Sequence, residues 1–265
     1  MRPYIHALLP LLLFYSGGMS AQKNIPVFKD VTEPDSYLPP LPPASPMART
    51  PEPTFVVRRT HRLSNQRGID VSHYQGKINW RNVSFDEHAS YVYIKATENA
   101  SLVDDMYYTN LREARAAGIP VGTYHFFSPS ASPMTQLLNL TRAMPDLREQ
   151  DLVPMVDVEV RGKCSIEEFR ERLRQFLLGI EERYGVKPII YTGTNFYNKY
   201  LCGYFTEYLY MIARYGDELP DLNGNPKIAI WQYSSKGQIA GIRGNVDLSR
   251  FVDNYSLRDI LIKKR

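Results

Sequence analysis

From residue 67 onward, short apolar segments alternate with stretches of helical spacing, and this alternation restricts the fold more than any other feature. The apolar segments are rich in β-branched and aromatic residues, which is typical of buried strands. Helices are expected at residues 105–117, 133–144, 166–184 and 256–262, and Ser165 and Glu168 have the spacing of a capping box. Eight strands are predicted, at residues 68–72, 91–96, 120–127, 152–159, 188–192, 208–213, 228–233 and 245–248.

Strands that alternate with helices predict an α/β domain, and eight of them predict one parallel, TIM-like barrel. Helical spacing weakens in the second half of the chain. We therefore expect an irregular (β/α) barrel in which the later crossovers have short or missing helices. Residues 66–265 have the right length for a single domain of this kind.

The first 65 residues differ from the rest of the chain. Residues 1–21 have the order of a secretory signal, with Arg2, an apolar run over residues 7–15, and then small residues. Because such a run reaches only about 14 Å as a helix, against about 30 Å of hydrocarbon, a cleaved signal is favoured over a membrane anchor. Residues 22–65 hold nine of the 19 prolines, which predicts an extended linker. We expect a secreted or cell-envelope protein without stable membrane insertion.

The charge of the chain argues against nucleic acid as a partner. The net charge is +4, but residues 66–265 carry 25 Lys or Arg against 24 Asp or Glu. A nearly neutral domain lacks the basic surface that nucleic-acid binding requires.

Cysteine and histidine give little sign of a cofactor. Cys164 and Cys202 would be able to pair in an oxidising compartment, and two separate thiols are an equal alternative. His73 and His125 lie near strand ends without the spacing of metal ligands, and no glycine-rich phosphate loop is present. The sequence therefore predicts neither a metal nor a cofactor.

Four acidic residues follow apolar residues at predicted strand ends: Asp70, Asp157, Glu159 and Asp247. In a (β/α) barrel those ends form the face that carries active sites. Asp157 and Glu159 share one side of their strand, with Cα atoms about 6.6 Å apart. Such a pair suits glycoside hydrolysis, in which one carboxyl protonates the leaving oxygen and the other stabilises positive charge at the sugar carbon. An isolated Asp-x-Glu is also common at solvated strand ends, so the prediction of an active site rests on all four residues together.

Aromatic residues lie near the same strand ends. They would either stack on sugar rings or fill the barrel interior. Strand alternation places Tyr124 and Phe126 on one face, and Trp231 and Tyr233 on one face with Gln232 opposite.

Seven segments together resemble glycoside hydrolase family 25, the lysozymes that cut the β-1,4 bond after N-acetylmuramic acid in peptidoglycan. In order they are GIDVSHYQG at 68–76, IKATE at 94–98, GTYHF at 122–126, VDVE at 156–159, IYT at 190–192, IWQY at 230–233 and VDL at 246–248. The resemblance spans about residues 67–255. It implies an irregular (β/α) barrel that needs no metal.

The resemblance also implies roles for individual residues. Glu159 matches the acid/base, and Asp157 matches a companion that orients the N-acetyl group or a reacting water. Asp70 and Asp247 match the remaining acids of the pocket. The chain departs from the family pattern at Asn99, where Gly is frequent, and at Ser249, where Asn is frequent. Substrate binding is expected of Tyr74, Glu98, Tyr124, Phe126, Tyr191, Trp231 and Gln232.

These observations favour a monomeric, secreted hydrolase of peptidoglycan glycan strands. Two alternatives remain: a barrel that binds carbohydrate without hydrolysing it, and a hydrolase of another N-acetylglucosamine polymer. A water-mediated inverting route and a substrate-assisted retaining route would both use the same acidic pair.

Overall fold

The computed structural model describes residues 66–148 and 151–263, so the predicted signal peptide and linker lie outside the described residues. A nine-stranded sheet organises this part of the chain. Its strands are β1 Arg67–Val71, β2 Tyr91–Glu98, β3 Leu102–Val103, β4 Val121–Phe126, β5 Met155–Asp157, β6 Ile189–Gly193, β7 Tyr210–Ala213, β8 Ile228–Gly237 and β9 Val246–Phe251.

The helices lie close to the predicted positions and become short after β6. A 3₁₀ turn at His73–Gln75 follows β1, and a π-helical turn at Tyr197–Leu201 follows the short helix at Thr194–Phe196. The crossover from β7 to β8 contains no helix among the described residues, which confirms the expectation for the later crossovers. The helices are α1 Trp80–Val83, α2 Tyr107–Ala116, α3 Pro133–Ala143, α4 Ile166–Tyr184, α5 Thr194–Phe196 and α6 Leu257–Ile260.

Eight of the strands close into a barrel, because β1 pairs with both β2 and β9. Going round it, the order is β1, β2, β4, β5, β6, β7, β8 and β9, while β3 forms a short hairpin on β2. The prediction of a parallel barrel is wrong for one strand, since β9 runs antiparallel to both β1 and β8.

The length of the last connection explains this reversal. Only residues 238–245 separate β8 from β9, whereas a parallel crossover needs about a dozen residues or more. The two strands therefore form a hairpin. As a result, β9 begins at the barrel mouth where the parallel strands end.

Capping also differs from the prediction. Ser165 Oγ accepts a hydrogen bond from the backbone N–H of Glu168 at 3.1 Å, as expected. The Glu168 carboxylate, however, accepts from Arg172 Nη2 at 2.7 Å instead of turning back to the helix start. Complete capping boxes occur at Ser72 and Ser256. The cap on α4 is thus half of the predicted motif.

Aromatic side chains fill the barrel below its mouth. The rings of Tyr91 and Tyr93 are fully buried there and lie against two glycines on neighbouring strands. A Cβ atom at Gly68 would lie 2.1 Å from the Tyr91 ring, and one at Gly122 would lie 2.2 Å from the Tyr93 ring. The two glycines are therefore needed to admit these rings, and the rings close the barrel interior below the mouth to ligands.

Outside the barrel, α4 packs its apolar side on β4 to β7. Cys164 and Cys202 are half-buried at the edge of this layer, and both are free thiols. No helix among residues 66–148 and 151–263 is long and apolar enough to cross a membrane. The buried side chains of α4 are Phe169, Leu173, Phe176, Leu177, Ile180 and Tyr184.

Candidate active site

The four acidic residues meet at the mouth of the barrel. Asp70 on β1 is the direct cross-strand partner of Asp247 on β9, so their side chains lie on the same face of the sheet. Asp157 is the last residue of β5, and Glu159 lies two residues further along the chain. Asp247 was expected at a strand end. It lies at the start of β9 instead, and the antiparallel direction of β9 brings it to the same mouth.

Asp70 is a buried carboxyl with one satisfied oxygen. Its Oδ2 accepts a hydrogen bond from Gln232 Nε2 at 3.1 Å, while Oδ1 has no partner among the described residues. Burial, followed by the charge of Asp247, raises the pKa of Asp70 to about 8, and the bond from Gln232 opposes this shift. Burial raises the pKa of Asp247 to about 6.

Gln232 is held in place by two tyrosines. Its Oε1 accepts from the hydroxyls of Tyr191 at 3.0 Å and Tyr215 at 3.4 Å. Because the amide oxygen receives both hydroxyls, the amide nitrogen is directed at Asp70. Tyr191 and Gln232 are both buried, so they support Asp70 from below the mouth. Tyr215 lies in the irregular segment between β7 and β8, where no periodic pattern marked it.

Asp157 and Glu159 differ sharply in exposure. Asp157 is buried, and its Oδ1 has no hydrogen-bond partner among the described residues. Burial and then the charge of Glu159 raise the pKa of Asp157, while Lys95 acts in the opposite direction. Glu159 is exposed to solvent at the mouth.

The pKa of Glu159 is also raised, first by desolvation and then by the charge of Asp247. Because the side chain of Glu159 remains exposed, we attribute this desolvation to neighbouring residues of the mouth and not to complete burial of the carboxyl. A carboxyl with a raised pKa that can reach solvent is able to hold a proton and deliver it to a bound molecule. Among the four acids, Glu159 has the exposure that this chemistry requires.

Lys95 is a cation inside the barrel mouth that no sequence pattern marks as functional. Its Nζ donates to Glu98 Oε2 at 2.6 Å and lies 5.5 Å from the centre of the Phe126 ring. This contact connects two of the predicted substrate-binding residues. The charge of Lys95 also acts on Asp157.

Tyr124 and Tyr74 flank the acids differently. Tyr124 is half-buried, and the pKa of its hydroxyl is raised by burial and then by the charges of Asp157 and Asp70. Tyr74 is 79% exposed in the 3₁₀ turn after β1. Asp104 fixes this turn by accepting from the backbone N–H of His73 at 3.0 Å, with the His73 ring Nδ1 at 2.7 Å. Tyr74 is thus available at the rim, whereas Tyr124 lies deeper, with its hydroxyl buried near Asp157.

The structure does not support Trp231 as a sugar-stacking residue. Trp231 is only 1% exposed, and its indole N–H donates to the Arg214 carbonyl at 2.7 Å. The guanidinium of Arg250 lies 4.6 Å from its ring centre. Alternation along β8 points Gln232 to the acids and Trp231 to the outer wall, where it packs with Tyr233. Its aromatic face is therefore not free for a sugar ring.

The two departures from the family pattern have structural accounts. Asn99 has a φ of 51°, and in this left-handed region Asn is tolerated better than most residues after Gly. Ser249 is buried, with its Oγ 2.9 Å from the Tyr91 hydroxyl. Neither residue displaces any of the four acids.

His125 has a structural environment. It is fully buried, with Nδ1 2.7 Å from Thr97 Oγ1 and Nε2 3.2 Å from Gln136 Oε1. Burial lowers the pKa of His125 to about 4, so the ring is neutral. In the part of the chain that the structure describes, no three His, Cys, Asp or Glu side chains are arranged to hold a metal ion.

Comparisons with known proteins identify relatives of this chain. The family model for glycosyl hydrolases family 25 matches residues 69–242. The YegX protein of Escherichia coli K12 is 40% identical over 188 residues, covering 69% of this chain and 68% of YegX. Lysozyme M1 of Streptomyces globisporus is 32% identical over 203 residues, covering 71% of this chain and 68% of that protein.

The fold leads to the same family. The crystal structure of a bacterial lysozyme from Streptomyces coelicolor has a TM-score of 0.66 to this chain at 30% identity. The match covers 73% of this chain and 94% of that structure. The chain is a member of glycoside hydrolase family 25 and therefore a glycoside hydrolase.

Proposed function

We propose that this enzyme is a muramidase that cleaves the β-1,4 bond between N-acetylmuramic acid and N-acetylglucosamine in peptidoglycan, with Glu159 as its acid/base. Family membership supports peptidoglycan as the substrate, since relatives in the comparison are named lysozymes. The observation that carries the assignment of Glu159 is its position as the one exposed carboxyl beside three more enclosed ones.

In this proposal, Glu159 is the protonated acid, and desolvation by the mouth followed by the negative charge of Asp247 raises its pKa in the direction that favours the protonated form. It donates that proton to the oxygen of the departing sugar as the glycosidic bond breaks. Positive charge then develops at the sugar carbon that remains bound. Asp247, whose pKa of about 6 leaves it mostly ionised at neutral pH, stabilises that charge electrostatically.

Asp157 acts as the companion of Glu159. Its Oδ1 is buried and has no partner among the described residues, and in this proposal the substrate N-acetyl group or a reacting water supplies the missing hydrogen bond when substrate enters the mouth. The inverting route needs the water, and the substrate-assisted route needs the N-acetyl group. The anomer first released in a fresh digest, observed by proton NMR, distinguishes the two.

Asp70 has a positioning role in this account. The chain of hydrogen bonds from Tyr191 through Gln232 to Asp70 fixes the base of the mouth. We expect Asp70→Asn to reduce kcat/KM by less than about tenfold at neutral pH, because the neutral amide replaces a carboxyl that is itself largely protonated there and the proton donor stays in place. Loss of a general acid costs about a hundredfold or more.

The test is cleavage of purified peptidoglycan by wild type, Glu159→Gln and Glu182→Gln. Glu182 is an exposed residue of α4 and provides a matched control. Wild type and Glu182→Gln should clear the suspension and release fragments with muramic acid at the new reducing end, whereas Glu159→Gln should not. Retention on peptidoglycan without clearing by wild type would favour the carbohydrate-binding alternative. A new N-acetylglucosamine reducing end would refute the bond assignment.

We also propose that the protein is secreted and acts as a monomer. The signal-like order of residues 1–21 supports export. All four acids belong to one barrel, so the proposed site needs no second subunit. Sequencing the amino terminus of protein recovered from the cell envelope tests signal cleavage, and light scattering of the purified chain tests the monomer.

A further inference from the structure

A groove on the flank of the barrel lies beside the mouth but contains none of the four acids. Its cavity volume is about 1450 Å³, and it runs between the 3₁₀ turn, α1, the carboxyl end of α2 and the β8–β9 loop. Small-molecule pockets usually enclose about 300–1,000 Å³. A groove of this size suits an extended ligand.

The charge of the groove is opposite to that of the mouth. Lys77, Arg81 and Arg243 line it, all three are exposed, and none of them makes an ion pair with any described residue. Among the described residues, Glu113 is its one acidic lining side chain, and Arg112 lies 3.3 Å from that carboxylate. The free charges of the groove are therefore positive.

The backbone that carries these cations is firmly held. The Asn79 N–H donates to the Gly241 carbonyl at 2.9 Å and joins α1 to the β8–β9 loop. Gly241 has a φ of 101°, and a Cβ there would lie 2.5 Å from the Asn79 carbonyl oxygen. Glycine is thus required at this contact, which fixes the loop that presents Arg243.

The groove adjoins the mouth through two links. Gln75, which lines the groove, has its Oε1 bonded to the Ser72 N–H at 2.9 Å and its Nε2 3.3 Å from the Asn245 carbonyl. Arg243 precedes Asp247 by four residues, so their Cα atoms are at most about 14 Å apart. A chain attached to a sugar in the mouth would reach the groove within a few residues.

We propose that this groove binds the acidic peptide attached to the muramic acid of peptidoglycan. Such peptides carry free carboxylates, which Lys77, Arg81 and Arg243 would pair with. Phe85, 75% exposed on the same wall, offers apolar contact to the peptide backbone and its small side chains. The inference rests on the proposed function, and it adds a preference for glycan strands that still carry their peptides.

The test compares kcat/KM on two soluble substrates, uncross-linked glycan strands with their peptides and the same strands after the peptides have been removed. The variant is Lys77→Ala/Arg81→Ala/Arg243→Ala. Its control is Arg142→Ala/Lys227→Ala/Lys263→Ala, which removes three exposed cations that do not line the groove. Circular dichroism of all proteins confirms folding.

An exposed ion pair contributes about two- to threefold in affinity, so three of them predict about a tenfold loss on peptide-bearing strands, mostly in KM. The loss on peptide-free strands should stay within about twofold, and the control should match wild type on both. High salt should reduce the difference, because exposed charges are screened. Equal effects of the groove variant on both substrates, or no effect, would overturn the inference. If wild type cleaved neither of the two substrates, the proposed function itself would be refuted.

Discussion

Asp70→Asn should change how the stability of the domain depends on pH. In the folded state, burial and Asp247 raise the pKa of Asp70 to about 8, from an ordinary value near 3.8. Between these two values the folded state binds the proton more tightly than the unfolded state does. The stability that the protonated Asp70 contributes is therefore fully present below about pH 4, and it is lost as the pH rises towards 8.

The magnitude follows from linkage. Each pH unit in that window costs about 1.36 kcal/mol for a single group that is protonated only in the folded state. From pH 5 to pH 7, Asp70 should thus remove about 2–3 kcal/mol from the free energy of unfolding. The amide that replaces the carboxyl in Asp70→Asn cannot ionise, and its oxygen can still accept the hydrogen bond from Gln232. The variant therefore resembles the protonated wild type at every pH.

Urea unfolding at pH 5, 6 and 7 measures this effect. Trp80 and Trp231, the two tryptophans of the chain, are buried in the domain and report unfolding by fluorescence. Three other acids with raised pKa values, Asp157, Glu159 and Asp247, are present in both proteins. The effect of Asp70 is therefore obtained by subtracting the free energy of unfolding of the variant from that of wild type at each pH. Between pH 5 and pH 7, the free energy of unfolding of wild type should fall by about 2–3 kcal/mol relative to that of Asp70→Asn. Parallel pH profiles would show that Asp70 is not a buried, protonated group.

Three further predictions concern packing, capping and the thiols. Gly122→Ala should destabilise the domain by at least about 1–3 kcal/mol because its Cβ would overlap a buried tyrosine ring, whereas Gly193→Ala, with open space around it, should stay close to wild type in thermal unfolding. Ser165→Ala should cost about 1 kcal/mol by removing the cap of α4, with kcat/KM on peptidoglycan unchanged; a fall in kcat/KM would contradict a purely structural role. Alkylation of the denatured, unreduced protein should modify both Cys164 and Cys202. An unalkylated protein whose mass is lower by two hydrogen atoms would instead demonstrate a disulfide.

Much of the fold was predictable because local signals and tertiary structure agree. The amphipathic pattern of α4 and its Ser165 cap lie where the sequence predicts them, and Gly185 ends the helix with a φ of 66°. The direction of β9 was not predictable from its apolar pattern, because a strand has the same alternation in either direction. Only the short β8–β9 connection distinguishes the two, and its eight residues are a hairpin length.

The candidate site was likewise predictable only in part from the sequence. The four acids were predicted because carboxyls at several strand ends converge in a closed barrel. The burial of Trp231 was not, since alternation tells which residues share a face but not which face looks inward. Lys95 and Tyr215 were missed for a related reason: their importance comes from contacts with Glu98 and Gln232 that only the closed barrel creates.

The most direct measurement of the proposed chemistry varies the leaving group. Wild type and Glu159→Gln are compared on two muramyl glycosides, one with a sugar as the leaving group and one with dinitrophenolate, which departs without a proton. If Glu159 is the proton donor, the variant should lose about a hundredfold or more in kcat on the sugar and less than about tenfold on the dinitrophenyl substrate. Equal losses on both substrates, or near wild-type turnover of the sugar, would show that another group supplies the proton.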